Sequence, residues 1–204
     1  MFWRINPLEL VNQEKVRKKV ALLEKNNPKL CKRDLCDIII AHKAWWCALI
    51  GALTALPGII PGVGTLLALV GGTAFDIIAL MYFLSEMITE MALVYGRDLR
   101  KQGAVKEIAW VFMFSIGSDA VSKNISKIAV KQMGRQAFIK FTQDLLISVG
   151  IRASQRSIFR IIPVMGSLLS ALVNLFFCRK AGKIVADYYE KSKPDDWEGV
   201  TLDI

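Results

Sequence analysis

Histidine is nearly absent from this chain: His42 is the only one in 204 residues. A lone imidazole next to Lys43 excludes histidine-rich metal sites, and such a residue is far more often structural than a catalytic base or ligand. It reads as a helix-surface or partly buried residue. Cys31, Cys36, Cys47 and Cys178 form no Cys-x-x-Cys pair. A thiolate metal set is therefore excluded, and the four read as reduced thiols of a cytosolic protein. Walker A, G-x-S-x-G and dinucleotide fingerprints are missing. Gly62-Val63-Gly64 lacks both the further glycine and the preceding strand that a phosphate cradle needs. No alternating apolar pattern of useful length occurs, which leaves an all-α class. The opening MFWRINPLELVNQEKVRKK has no apolar h-region, so no signal peptide is expected. The expectation is a protein with no catalytic residues, no metal and no cofactor.

Charge is missing in one place above all. Residues 44–75, AWWCALIGALTALPGIIPGVGTLLALVGGTAF, form a run of 32 without a charged side chain. A surface helix normally shows water a polar residue on every turn, so this run must be covered by something apolar. Pro57-Gly58 and Pro61-Gly62 remove donors and clash with the preceding turn, so the run reads as two helical limbs meeting at a corner. The first limb, 44–56, reaches roughly 20 Å, short of the roughly 30 Å hydrocarbon core of a bilayer. The second continues past Asp76. The pair is either the centre of a helical bundle or a wedge that dips into a membrane. Glycines 64, 71 and 72 suit close helix approach in either setting.

What charge there is lies elsewhere. The net charge is +9, with +5 in residues 1–43 and +6 in 118–160. Asn6-Pro7-Leu8-Glu9 reads as a helix start, with Leu8, Val11, Val16, Val20 and Leu23 on one face and Asn26-Asn27-Pro28 as its end. A second helix follows from the charged segment 29–37. Gly96 reads as a helix cap or kink, and 104–114 as a short helix. From Ser118 to Asp144, Lys123, Lys127, Lys131 and Arg135 recur at steps of four opposite Val121, Ile125 and Ile128. Lys140, Arg152, Arg156 and Arg160 continue the basic character. The bland reading is a solvated lysine face. The functional reading is contact with anionic lipid headgroups through Lys123, Lys127, Lys131, Arg135, Lys140, Arg152 and Arg156. Nucleic acid ranks third, because no aromatics interleave the lysines. Glu86 and Glu90, one turn apart, read as a solvated pair. Asp76 sits between apolar turns, where a bare carboxylate is costly, so a buried ion pair with Arg160 or Arg179 is expected.

Residues 59–75 align without gaps onto 161–177: Ile-Ile-Pro, a glycine three residues on, Thr65 with Ser167, a Leu-Leu pair and a closing Phe coincide. The echo points to two related helical units. Three further places carry a family likeness: Leu56-Pro57-Gly58 through Asp76, the segment Ala92-Leu93-Val94-Tyr95-Gly96-Arg97-Asp98-Leu99, and Ile162-Pro163-Val164-Met165-Gly166 leading to Asn174, Arg179, Gly182 and Tyr188. In these the chain resembles the EcsC family of bacterial proteins over roughly residues 35–190. The C-terminal part is also similar to the apolar helical domain of some bacterial GTPases. A second Pro-Gly at 61–62 departs from the family pattern. The resemblance implies a helical, membrane-associated protein, encoded in some bacteria beside an ABC exporter, with no established catalytic activity.

The expected architecture is a single bundle of about seven or eight helices with two pseudo-repeated apolar units. Its segments are a 1–34 amphipathic helix and connector, a 35–190 helical domain and a loose acidic tail over 191–204. The expected function is non-enzymatic binding of anionic lipid surfaces or a lipid chain at the inner face of the cell membrane, assisting an exporter or secretion. The alternative is a soluble scaffold whose basic face docks a protein partner such as a transporter. A lipid-modifying enzyme is the remaining class, and it lacks a nucleophile–base set.

Overall fold

The computed structural model describes residues 11–55, 73–100, 102–115 and 163–193. Of these, 86% are helical and none lies in a strand, so this part of the chain is all-α. Five helices make it up: α1 Gln13–Asn26, α2 Lys32–Ala55, α3 Thr73–Val94, α4 Gln102–Ser115 and α5 Pro163–Lys191. The corner at Pro57, Gly58, Pro61 and Gly62 lies outside the described residues, as do Lys123, Lys127, Lys131, Arg135, Lys140, Arg152, Arg156 and Arg160.

Helix ends follow local chemistry. The first helix does not run on from Pro7. Asn12 is its N-cap, in extended backbone, with Oδ1 accepting from the Lys15 N–H at 3.0 Å. That bond satisfies one of the four orphan donors of the first turn, which is why the helix starts there. Asn27 closes the other end, its N–H reaching Leu23 and Glu24 carbonyls. At the end of α3, Gly96 adopts a φ of +82°. Its N–H donates to the Leu93 carbonyl at 2.8 Å, and that of Arg97 to Ala92 at 2.9 Å. This is a Schellman closure, which needs the left-handed residue that glycine supplies.

α2 is the spine. It runs 24 residues, roughly 36 Å at 1.5 Å per residue. α5 packs against it along most of its length and runs the opposite way. Arg33 near the start of α2 pairs with Asp187 and Glu190 near the end of α5. Further along, Ile40 meets Gly182 and Gly51 meets Ser170 and Asn174. A Cβ on Gly182 would stand 2.6 Å from Ile40 Cγ1, so the absent side chain is what lets these helices approach. α3 is also antiparallel to α2, with Phe83 stacked on Trp46 at 6.3 Å between centroids. α1 lies across α3 and buries Val16 and Val20. The core between the helices holds Leu84, Met87, Ile88, Met91, Val111 and Val185, all essentially without solvent contact. Each such side chain contributes about 1.5–3 kcal/mol on burial.

Candidate functional site

The most charged point of the interior is a cluster that joins three helices. Lys43 of α2 is buried, with 2% of its side chain exposed. Its Nζ lies 2.6 Å from Glu86 Oε2 and 2.9 Å from Glu90 Oε1, both on α3. Lys19 of α1 reaches in from solvent to bond Glu86 Oε1 and lies 3.8 Å from Glu90. Glu86 and Glu90 are therefore not a solvated pair. Their helical spacing aims both at one height, and that height is where Lys43 enters from a different helix.

The charges balance two against two, and the environment tunes each differently. Burial pushes Glu86 up, but hydrogen bonds from Lys19 and Lys43 outweigh it and leave its pKa below the usual carboxylate value. Burial dominates at Glu90 and leaves it above that value despite Lys43. For Lys19, burial opposes the charge, yet the Glu86 hydrogen bond and both glutamates prevail and raise its pKa. His42 is held below its usual range by burial and by Lys43 and Lys19. Its Nε2 accepts from Trp46 Nε1 at 3.2 Å. Beside the cluster lies a cavity of about 210 Å³ lined by Val20, Leu23, Ile38, Ile39 and His42 with Lys19 and Glu90. That is below the size of a typical small-molecule site. The arrangement is a clamp among α1, α2 and α3, with its lysines and glutamates already engaged with one another.

A second polar point holds α2, α3 and α5 together. Asp76 is 6% exposed, and Asn174 Nδ2 donates to its Oδ1 at 2.9 Å. The same amide lies 3.3 Å from the Cys47 carbonyl. Arg179 does not share this burial: it is exposed on α5. The buried face of α5 carries Asn174, Cys178, Ala181 and Val185, and Arg179 follows Cys178 by about 100° around the helix, which turns it outward. Of the two arginines expected beside Asp76, Arg179 is turned outward and Arg160 lies outside the described residues; Asn174, one turn before Cys178 on the buried face, supplies the hydrogen bond described here.

At the other end, Arg97 is buried and forks onto Glu107, with Nε 3.0 Å from Oε2 and Nη2 3.1 Å from Oε1. It also donates to the Ser192 carbonyl and hydroxyl and lies over the Tyr189 ring. Tyr188 adds its hydroxyl to Glu107 Oε1 at 3.2 Å. This bidentate pair ties the α3–α4 turn to the end of α5.

Two of the buried thiols, Cys36 and Cys47, are not poised for reaction. Burial pushes Cys36 up to about 12. A hydrogen bond with Cys178, then burial, holds Cys47 far above its usual range. Nucleophilic cysteines need the opposite environment. Among the described residues no group of three His, Cys, Asp or Glu side chains lies together as metal ligands do.

The outer surface is divided. Trp45 (64% exposed), Leu49 and Leu53 project from α2, and Leu168, Leu172 and Phe176 (65%) from α5. Both sets recur every four residues, one face of each helix. The antiparallel register brings Trp45 level with Phe176, Leu49 with Leu172 and Leu53 with Leu168. Phe75, at the start of α3, is exposed at the same end. The two rows share a height but not a side: Ile40 and Gly51 face α5, and Leu49 lies about 180° around α2 from Ile40. Exposed apolar groups at one end of a helical sheaf mark a surface that meets something other than water. One described helix, Lys32–Thr54, is long and apolar enough to cross a membrane by length and composition, and half of its most apolar window is buried against its neighbours. No protein-family model, curated protein or solved structure matches this chain.

Proposed function

We propose that this chain is a non-enzymatic protein that seats one end of its helical sheaf in a single leaflet of an anionic membrane, at the inner face of the cell membrane. The observation that carries this reading is the exposed apolar end formed by Trp45, Leu49 and Leu53 with Leu168, Leu172 and Phe176. From Trp45 to Leu53 the row is roughly 12 Å long. That is less than half of a hydrocarbon core of roughly 30 Å, so it suits shallow seating and not a span. In sequence, the residues that join α2 to α3, 56–72, carry no charge. Tryptophan fits the position too, since its amphipathic ring favours the membrane–water boundary.

The finer architecture belongs to the same proposal: a bundle of about seven or eight helices in which 59–75 and 161–177 open two related units. So does membership of the EcsC family, and with it assistance to an exporter. Lys123, Lys127, Lys131, Arg135, Lys140, Arg152 and Arg156 are proposed to contact lipid phosphates.

Flotation of the full chain with vesicles of phosphatidylcholine and phosphatidylglycerol tests the reading. The wild type is expected to float and L49D/L172D to stay at the bottom while keeping its helical circular dichroism. A wild type that never floats, or a double variant that floats equally well, overturns it. The first of these outcomes would favour a soluble scaffold that uses its surface for a protein.

A further inference from the structure

The exposed face of α5 changes character twice, from apolar to basic to acidic. It reads Leu168, Leu172, Phe176, then Arg179, Lys180 and Lys183, then Asp187 and Glu190. All lie near steps of three and four from one another, so they follow one face. α2 changes at the same height. Its exposed face runs from Leu53 and Leu49 to Trp45 and Trp46, and then, with Ile38 as a single exposed apolar side chain, to His42, Asp37 and Asp34. Trp45 stands level with Phe176, so the apolar end stops on both helices at one plane. Arg179 and Lys180 begin the next turn, roughly 5–6 Å beyond Phe176.

These three cations are uncommitted within the described part of the molecule. Every ion pair there uses other residues: Lys19, Lys43, Arg17, Arg33 and Arg97. The acids nearest along the same face, Asp187 and Glu190, are held by Arg33. The result is an apolar patch, a tryptophan at its edge, and a cationic turn directly behind it. Long basic side chains in such a place lay their stems along apolar surface and extend their heads into the headgroup layer.

We infer that Arg179, Lys180 and Lys183 form a binding surface for anionic phospholipid headgroups that fixes how deep and in what orientation the α2–α5 end enters a bilayer. This rests on the reading of the apolar end as the membrane-seated one. It goes beyond it by assigning a headgroup contact to α5, separate from the basic residues between 123 and 156. The occupant is a bilayer of anionic phospholipid because a cationic turn one helical step outside an apolar face matches the order of layers met on leaving hydrocarbon for phosphate.

The test compares two variants that lose the same charge in different places. R179Q/K180Q/K183Q removes the proposed surface. K18Q/K25Q/K29Q removes three exposed lysines on α1 and the connector after it. All six side chains are solvent-exposed, so both variants keep the wild-type urea midpoint. On phosphatidylcholine–phosphatidylglycerol vesicles at low salt, the first variant should bind about 100-fold more weakly and the second close to wild type. On phosphatidylcholine alone, the first variant and wild type should bind alike. Quenching of tryptophan fluorescence by lipids brominated near the headgroup, with W45F as the control, should fall in the first variant on the fraction that is bound. Equal losses in both triple variants would show a response to net charge only and overturn the assignment. So would unchanged affinity and quenching in R179Q/K180Q/K183Q. Failure of the wild type to bind vesicles at all would instead remove the membrane reading itself.

Discussion

Lys43 shows how much can hang on one side chain. It lies inside α2 between apolar turns and answers two carboxylates from α3. Lys43→Met keeps the volume and deletes the charge, leaving Glu86 and Glu90 buried with Lys19 alone. Breaking a buried pair this way costs about 3–5 kcal/mol, to be read from the urea midpoint of the variant. The two glutamates also set opposite pH dependences. The lowered pKa of Glu86 gives stability that is present above the unfolded carboxylate value and lost as pH falls through the folded one. The raised pKa of Glu90 gives a penalty that is present at neutral pH and relieved as pH falls through its folded value. Between pH 6 and 3, E90Q should therefore lose stability more steeply than wild type, and E86Q less steeply. Parallel curves for all three would refute the assignment. The sequence held one clue to this cluster: a single lysine in an apolar helix requires a carboxylate. Nothing in local spacing shows that the carboxylates lie on a helix more than 40 residues later, so Glu86 and Glu90 looked solvated.

At the level of helices, legibility followed locality. Gly96 announces a helix end because the left-handed turn is a property of a few adjacent residues, and the 104–114 helix is self-contained. The helix expected to run on from Pro7 is interrupted at residues 11–12, while Asn6 and Pro7 themselves lie outside the described residues. Asn6-Pro7 and Asn12-Gln13 are both plausible caps, each with a glutamate close behind, and only the bond to Lys15 selects Asn12. The segments that carry the family likeness turn out to be contact points. Asn174 meets Asp76, Gly182 meets Ile40, and Arg97 meets Glu107 beside Tyr188. Two consequences can be measured. Asn174→Ala takes a hydrogen bond from a buried carboxylate and should cost about 1.5–3 kcal/mol in chemical unfolding. Gly182→Ala pushes a methyl into Ile40 and should cost about 1–3 kcal/mol. An Asn174→Ala protein as stable as wild type would mean that Asp76 draws little from this contact.

At the scale of the molecule, the all-α character of the described residues was readable because helical periodicity and the absence of alternation are properties of the chain itself. The exposed apolar end was only half readable. An uncharged run says that something must cover it, while the sequence places that run equally well in a core or at a surface. Register decides, since only the antiparallel pairing of α2 with α5 sets Trp45 level with Phe176. The mixed surface makes a prediction about release from membranes. At 1 M salt, where charge attraction decays over roughly 3 Å, the cationic contribution is lost and the apolar one is not. Salt washing of membranes should therefore remove only part of the protein, and alkaline carbonate should remove the rest. Complete retention in carbonate would indicate a span.

The two ends of the α2–α5 pair are fastened unequally. One carries Arg33 with Asp187 and Glu190, and the Arg97–Glu107 fork with Ser192 and Tyr188. Among the described residues, the other carries the Asn174–Asp76 contact and apolar side chains turned to water. The pair is in effect a clothes-peg whose spring sits at the charged end. Local opening draws on the least fastened part first. Amide hydrogen exchange along α2 should therefore be graded, slowest around residues 35–44 and faster towards 48–54. Membrane seating should flatten that gradient by slowing the fast end alone. Uniform protection along the free helix would show that the jaws are held as firmly as the spring.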